Sequence, residues 1–146
     1  MGPIPIYLPM KKFIIILGIA IVFLAGSVWW SRSHTATNPI ISTNGLHWHP
    51  ELVIYVKGEK VEIPANVGLM GSENPIHTHT DLPLIHLEFQ GMVRESNLKL
   101  GKFFQVWGKD FHEFGQTVHM TVNGVENIEY ENYIMHDRDK IELRYE

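Results

Sequence analysis

Five histidines in one part of the chain have the residue type and the spacing of a metal site. They occur as His47-Trp48-His49, as His77-Thr78-His79 and as a single His86. Successive side chains of an extended strand point to opposite faces, so residues i and i+2 share a face. Each His-x-His pair would then present two imidazoles on one side, and His86 would complete a three-nitrogen site. Imidazole suits zinc and copper, so the sequence predicts a copper or zinc ion.

Two acidic residues accompany these histidines. Glu88 would share a strand face with His86, where it could be a fourth ligand, a hydrogen-bond acceptor or the general base for a metal-bound water. Asp81 closely follows His79 and could accept an imidazole N–H, as carboxylates commonly do beside metal-binding histidines. If the protein is an enzyme, these two carboxylates are the predicted bases.

The other histidines have no His-x-His partner. We expect structural or surface roles for His112, His119 and His136, and His34 falls in a predicted linker. Met70 is predicted to be a packed loop side chain, although a thioether is also a soft copper ligand.

An uncharged apolar run from Phe13 to Trp30 predicts a single transmembrane helix. Eighteen residues give roughly 27 Å of helix, enough to cross the hydrocarbon core of a bilayer. Lys11 and Lys12 precede the run, so the positive-inside rule places the N-terminus in the cytoplasm and the remainder outside the cell membrane. A cleaved signal peptide is the alternative, with Ala25-Gly26-Ser27 as the cleavage site.

Composition then divides the chain into four segments. We predict a cytoplasmic tip at 1–12, a transmembrane anchor at 13–30, a polar linker at 31–45 and an extracytoplasmic histidine-rich domain at 46–146. A domain of this size can bury a core of its own.

The external part of the chain is acidic and lacks cysteine. From Arg32 onward ten Lys and Arg residues stand against sixteen Asp and Glu residues, a net charge of −6. This balance favours cation capture, and it argues against a nucleic-acid partner, which would require clustered positive charge. With no cysteine in the chain, disulfides, thiolate ligands and cysteine nucleophiles are excluded.

Hydrophobic periodicity predicts one helix among several strands. Leu100, Phe103, Phe104 and Trp107 recur at helical spacing, with Ser96 or Asn97 as the cap and Gly108 at the end. Strands are predicted at 52–56, 60–63, 84–89, 117–122, 125–129 and 140–145, with a tight hairpin at Asn123-Gly124. The order predicts an α+β domain with one helix packed on a small mixed sheet, in the manner of a β-grasp.

Three motifs of this sequence resemble an uncharacterised family of bacterial and archaeal proteins, which are usually membrane-anchored or secreted. The motifs are the run from Pro75 to Asp81, the Leu84–Glu88 segment with its Ile-His-x-Glu core, and the Leu100–Gly108 segment with its Leu-Gly-x-Phe-Phe-x-x-Trp-Gly pattern. The resemblance extends from about His47 to the C-terminus and implies a family, with no activity attached to it. This chain departs from the pattern in having Thr80 between His79 and Asp81, and in lacking a cysteine that some relatives carry before the motif.

These observations favour a membrane-tethered, extracytoplasmic module that captures or delivers copper or zinc. The alternative is a zinc hydrolase or hydratase in which His77, His79 and His86 hold zinc and leave an open position for water. A third hypothesis is a protein-interaction domain in which the histidines sense pH. The metal ion and the membrane are the predicted partners, and the sequence identifies no protein partner.

Overall fold

The computed structural model describes residues 9–33 and 37–146. The chain divides into two compact units, 1–37 and 38–146, which are described separately. The first unit contains helix α1, Met10–Ser33. Its segment Met10–Ser31 is, within the described residues, the one helix long and apolar enough to span a membrane, with a mean hydropathy of 2.5. A signal sequence would have the same character. The predicted cytoplasmic tip falls largely outside the described residues, and His34 lies outside them too.

The second unit begins inside the stretch predicted as a linker. Strand β1, Ile40–Ser42, pairs antiparallel with β7, Val93–Arg94. The Arg94 guanidinium also donates a hydrogen bond of 2.8 Å to the Asn38 carbonyl oxygen. The folded domain therefore starts at Asn38, eight residues before the predicted boundary, because a distant strand pairs with this segment.

A five-stranded mixed sheet supports the domain. Its strands are β3 Glu51–Val56, β4 Glu59–Val61, β8 Val118–Val122, β9 Val125–Glu126 and β10 Lys140–Tyr145. They lie in the order β4-β3-β10-β8-β9, with β10 parallel to β3 and every other neighbouring pair antiparallel. Asn123 and Gly124 both have positive φ, at 53° and 80°, which confirms the predicted tight turn.

Helix α2, Leu100–Trp107, follows a 3₁₀ turn at Glu95–Leu98. Its Leu100, Phe103 and Phe104 are buried in one core cluster with Ile54 and Leu143 of the sheet. The helix ends at Gly108 in the left-handed conformation, as predicted. The predicted N-cap is wrong. Lys99 occupies that position, because Ser96 and Asn97 belong to the 3₁₀ turn.

The histidine-bearing strands form a sheet of their own. In this sheet β6, His86–Phe89, lies between β2, Leu46–Trp48, and β5, Ile76–His77, with antiparallel pairing on both sides. The α+β class is therefore as predicted, but the prediction of a single small sheet is wrong. The part of the chain that the structure describes contains three sheets, of two, five and three strands.

Gly68 lies in the loop before β5 and tests how closely that loop packs against the strand. It has φ of +78°, and a Cβ atom there would lie 2.5 Å from the Ile76 carbonyl oxygen. Gly68→Ala should destabilise the domain by roughly 1–3 kcal/mol more than Gly71→Ala does, measured by urea denaturation. Gly71→Ala is the matched control, because Gly71 also has positive φ but open space around it. Equal losses in the two variants would contradict the packing argument.

Candidate metal centre

The register of the three-stranded sheet places donor residues side by side. His77 on β5 is paired with His86 on β6, and His47 on β2 is paired with Glu88 on β6. Directly opposed residues of an antiparallel pair have Cβ atoms about 5 Å apart and share a face of the sheet. Donors from three strands therefore converge on one surface.

His77 and His79 lie together although β5 ends at His77. Thr78 between them is fully buried and points the other way, where its hydroxyl donates to the Pro64 carbonyl oxygen at 2.8 Å and accepts from the Val67 N–H at 3.1 Å. These bonds hold the extended backbone beyond the strand. The His77 and His79 ring centroids are consequently 4.8 Å apart, as the His-x-His spacing predicts.

His47 and His49 also come together, with ring centroids 4.6 Å apart. Pro50 does not separate the two rings. Its carbonyl oxygen accepts a 2.8 Å hydrogen bond from the Ile85 N–H, so the backbone after β2 stays alongside the segment that leads into β6. The backbone N–H of His49 donates to Asp137 Oδ1 at 2.9 Å. Sequence reasoning missed Asp137, since its contact with His49 joins segments 88 residues apart.

His86 lies at the centre of the cluster and is 8 % exposed. Its ring centroid is 4.7 Å from that of His49, 4.7 Å from that of His79 and 5.3 Å from that of His77. Together with the His47–His49 contact, these distances connect all five sequence-predicted histidines in one group of rings, which we call the histidine cluster.

His77 carries a nitrogen atom that is prepared to bind a ligand. Its Nδ1–H donates to the Asn74 carbonyl oxygen at 2.9 Å, which leaves Nε2 with a lone pair. Nε2 is buried and has no hydrogen-bond partner among the described residues. Buried polar atoms are nearly always satisfied, and a histidine whose other nitrogen is held by a carbonyl is the usual arrangement of a metal ligand.

Two carboxylates lie beside the central His86 ring, one at each of its nitrogen atoms. Glu88 Oε1 lies 3.3 Å from His86 Nδ1 and 2.9 Å from His47 Nε2. Asp81 Oδ2 lies 3.2 Å from His86 Nε2. Asp81 therefore reaches an imidazole despite the intervening Thr80, as its position after His79 predicts.

Among residues 9–33 and 37–146, three sets of side chains could each hold a metal ion, with the ligand atoms of a set all within 4.8 Å of one another. The sets are His47, His49, His86 and Glu88; His77, His79 and His86; and Glu73, His77 and Glu88. Glu73 was not predicted from the sequence, and its spacing of four residues before His77 was the available signal.

Other roles were predicted for three further histidines and for Met70. Within the described residues, His112, His119 and His136 belong to none of these sets, and their structural or surface roles remain predictions. Met70 is 93 % exposed, so the prediction that it packs is wrong. Its loop extends into solvent at that position.

The surroundings lower the pKa of His49. Removal from water is the largest cause, and the His86 and His47 imidazoles add to it. These influences outweigh the carboxylates of Asp137 and Glu88, which raise the pKa. His49 therefore keeps its lone pair available for a ligand down to a lower pH than a free imidazole does.

The pKa values of Asp81 and Glu88 are also lowered. Desolvation is the largest single influence on each and would raise the pKa, but the hydrogen bond from His86 and the positive charge of nearby histidines together outweigh it. Both groups therefore remain anionic near neutral pH and add negative charge to the cluster.

No protein-family model, curated protein or solved structure matches this chain. The resemblance of its motifs to an uncharacterised family remains a prediction.

The lowered pKa values predict the pH dependence of the metal-free protein. A group with a lower pKa in the folded state binds fewer protons there than in the unfolded state, so stability decreases as pH falls. The decrease should begin near the ordinary histidine value of 6.5 through His49 and continue near 4.5 and 3.8 through Glu88 and Asp81. Thermal unfolding of chelator-treated protein from pH 8 to pH 4 measures it.

His49→Gln is the control for this experiment, because it removes the titrating imidazole. It should reduce the loss of stability between about pH 7 and pH 5.5 and leave the loss at lower pH unchanged. Stability that increases on acidification would contradict the assignment.

Proposed function

We propose that the protein is a membrane-tethered, extracytoplasmic module that captures and delivers copper or zinc through the histidine cluster. The observation that carries this proposal is the buried Nε2 of His77, which has no hydrogen-bond partner in the described part of the chain. The Asn74 carbonyl oxygen fixes the tautomer, and further imidazoles lie within ligand distance. A metal ion would satisfy this nitrogen, which otherwise loses a hydrogen bond at a cost of about 1–3 kcal/mol.

Copper and zinc fit the donors best. Imidazole nitrogens supply most of the ligand atoms, carboxylates supply the remainder, and the chain has no thiolate. The affinity of a nitrogen site for divalent metal ions increases along the first transition row up to Cu²⁺, and Zn²⁺ follows Cu²⁺ in that row. Calcium and magnesium prefer sites made of oxygen alone.

A binding role is supported by the number and position of the ligands. The cluster offers more donors than the four that a structural zinc site takes, and His47 is well exposed, with 64 % of its side chain accessible. An accessible surplus ligand allows an incoming or departing ion to be transferred stepwise between donors.

A zinc hydrolase or hydratase is a second candidate. His77, His79 and His86 alone make a three-imidazole set, which would leave a coordination position for water, and Glu88 Oε1 lies 3.3 Å from His86 Nδ1. Ester hydrolysis or carbon dioxide hydration by the zinc-loaded protein, abolished in Glu88→Gln with zinc retained, would favour this enzyme over the binding module.

We further propose that the larger sheet and α2 form a β-grasp. The β3–β4 hairpin, α2, the β8–β9 hairpin and a central β10 parallel to β3 support this arrangement. An experimental structure in which β10 is not between β3 and β8 would contradict it.

His77→Ala should weaken binding of the first equivalent of Zn²⁺ or Cu²⁺ by at least about 100-fold, since it removes the ligand with the fixed tautomer. Competition titration of the full-length chain in detergent, purified without a histidine tag, measures the affinity. His119→Ala is the matched control, because His119 is exposed on β8 and belongs to none of the sets. Absence of binding by the wild-type chain, or equal binding by both variants, would contradict the proposal.

The proposed orientation has a separate test. Alkaline phosphatase fused after Glu146 should be active in cells, because it folds only outside the cytoplasm, whereas a fused fluorescent protein that folds only in the cytoplasm should remain dark. Replacing Lys11 and Lys12 with Gln should reduce this asymmetry, since these two charges precede the apolar run. Fluorescence without phosphatase activity in the wild-type fusion would contradict an extracytoplasmic domain.

A further inference from the structure

We propose that the histidine cluster holds two metal ions at once, with the His86 ring as the bridge between them. The inference rests on the proposed metal binding and adds the number of ions and the residue that couples them. The ions would be divalent cations that prefer imidazole, Cu²⁺ or Zn²⁺.

Two of the ligand sets overlap at one residue. The set of His47, His49, His86 and Glu88 and the set of His77, His79 and His86 have a single member in common, His86. A tetrahedral site takes four ligands, and these two sets together contain six residues. One ion would therefore leave donors of the other set unused.

The strand order places histidines on both sides of His86. His86 lies on the middle strand, β6, while His47 lies on the neighbour at one edge, β2, and His77 lies on the neighbour at the other edge, β5. Adjacent strands are about 4.8 Å apart, so the two outer backbones are separated by roughly 10 Å. The sheet therefore presents histidines on each side of the His86 ring.

The ring contacts agree with this division. His49, from the β2 side, lies edge-on to His86 with centroids 4.7 Å apart. His79, from the β5 side, lies edge-on to the same ring, also at 4.7 Å. The His86 ring is thus contacted by a histidine from each ligand set.

The two nitrogen atoms of His86 allow one ring to serve both ligand sets. One ring nitrogen binds one ion, so both sets can be filled only if Nδ1 and Nε2 each bind a metal. Nδ1 faces Glu88 at 3.3 Å and Nε2 faces Asp81 at 3.2 Å, so neither nitrogen is enclosed by apolar core. A ring that binds two ions releases its N–H proton to solvent.

The nearby carboxylates offset the electrostatic repulsion between two divalent ions. Glu73, Glu88 and Asp81 all lie beside the histidines, and the chain from Arg32 onward has a net charge of −6. The bridging ring, once it has lost its proton, adds one further negative charge between the cations. Repulsion between the ions is offset by these charges.

The test combines stoichiometry with spectroscopy on the full-length chain in detergent. Native mass spectrometry with added ZnCl₂ should give two ions per chain. His49→Ala should weaken one site and His79→Ala the other, each by at least about tenfold. His86→Ala should weaken both sites, and His119→Ala should behave as the wild type. Circular dichroism establishes that each variant is folded.

Electron paramagnetic resonance of the wild type with CuCl₂ tests the bridge without any substitution. Two Cu²⁺ ions joined by one imidazole ring couple magnetically, so signal intensity per bound copper should fall as the second equivalent binds. Saturation at one ion, or two ions with full intensity and only one site affected by His86→Ala, would overturn the bridge while leaving metal binding intact. Absence of any metal binding would overturn the proposed function itself.

Discussion

The candidate site depends on the register of three short antiparallel strands. Because β5, β6 and β2 are paired as they are, His77 faces His86 and His47 faces Glu88. A slip of one residue would turn every side chain of a strand to the opposite face and disperse the donors. Buried Leu87 and Ile76 on the core side oppose such a slip, since a slipped strand would expose them. The packing of the core thus fixes the geometry of a polar site.

A cluster of imidazoles has an electrostatic cost that a metal ion removes. Two unit positive charges about 4.7 Å apart repel by roughly 3.5 kcal/mol at an effective dielectric constant of 20. A metal ion bound by neighbouring rings replaces their protons with one ion and so avoids this repulsion. The anionic Glu88 and Asp81 partly compensate positive charge and lie where a cation would be attracted. These two carboxylates therefore favour a bound cation beside the imidazoles.

Local patterns in the sequence predicted the donors but not the scaffold around them. His-x-His spacing identified the ring pairs, and helical spacing from Leu100 to Trp107 identified α2, because both depend on neighbours along the chain. The pairing of Ile40–Ser42 with Val93–Arg94 and the separation into three sheets depend on contacts between distant segments. The Asn74 carbonyl that fixes the tautomer of His77 was missed for a different reason, since every residue carries a carbonyl.

The most direct test of a histidine-based metal centre is X-ray absorption at the zinc edge. The sample would be the full-length chain loaded with one equivalent of Zn²⁺ and purified without a histidine tag. We expect a first shell of nitrogen and oxygen at about 2.0–2.1 Å, together with the outer-shell scattering of several imidazole rings. A first shell made of oxygen alone, without imidazole scattering, would contradict the central claim that the histidine cluster binds the ion.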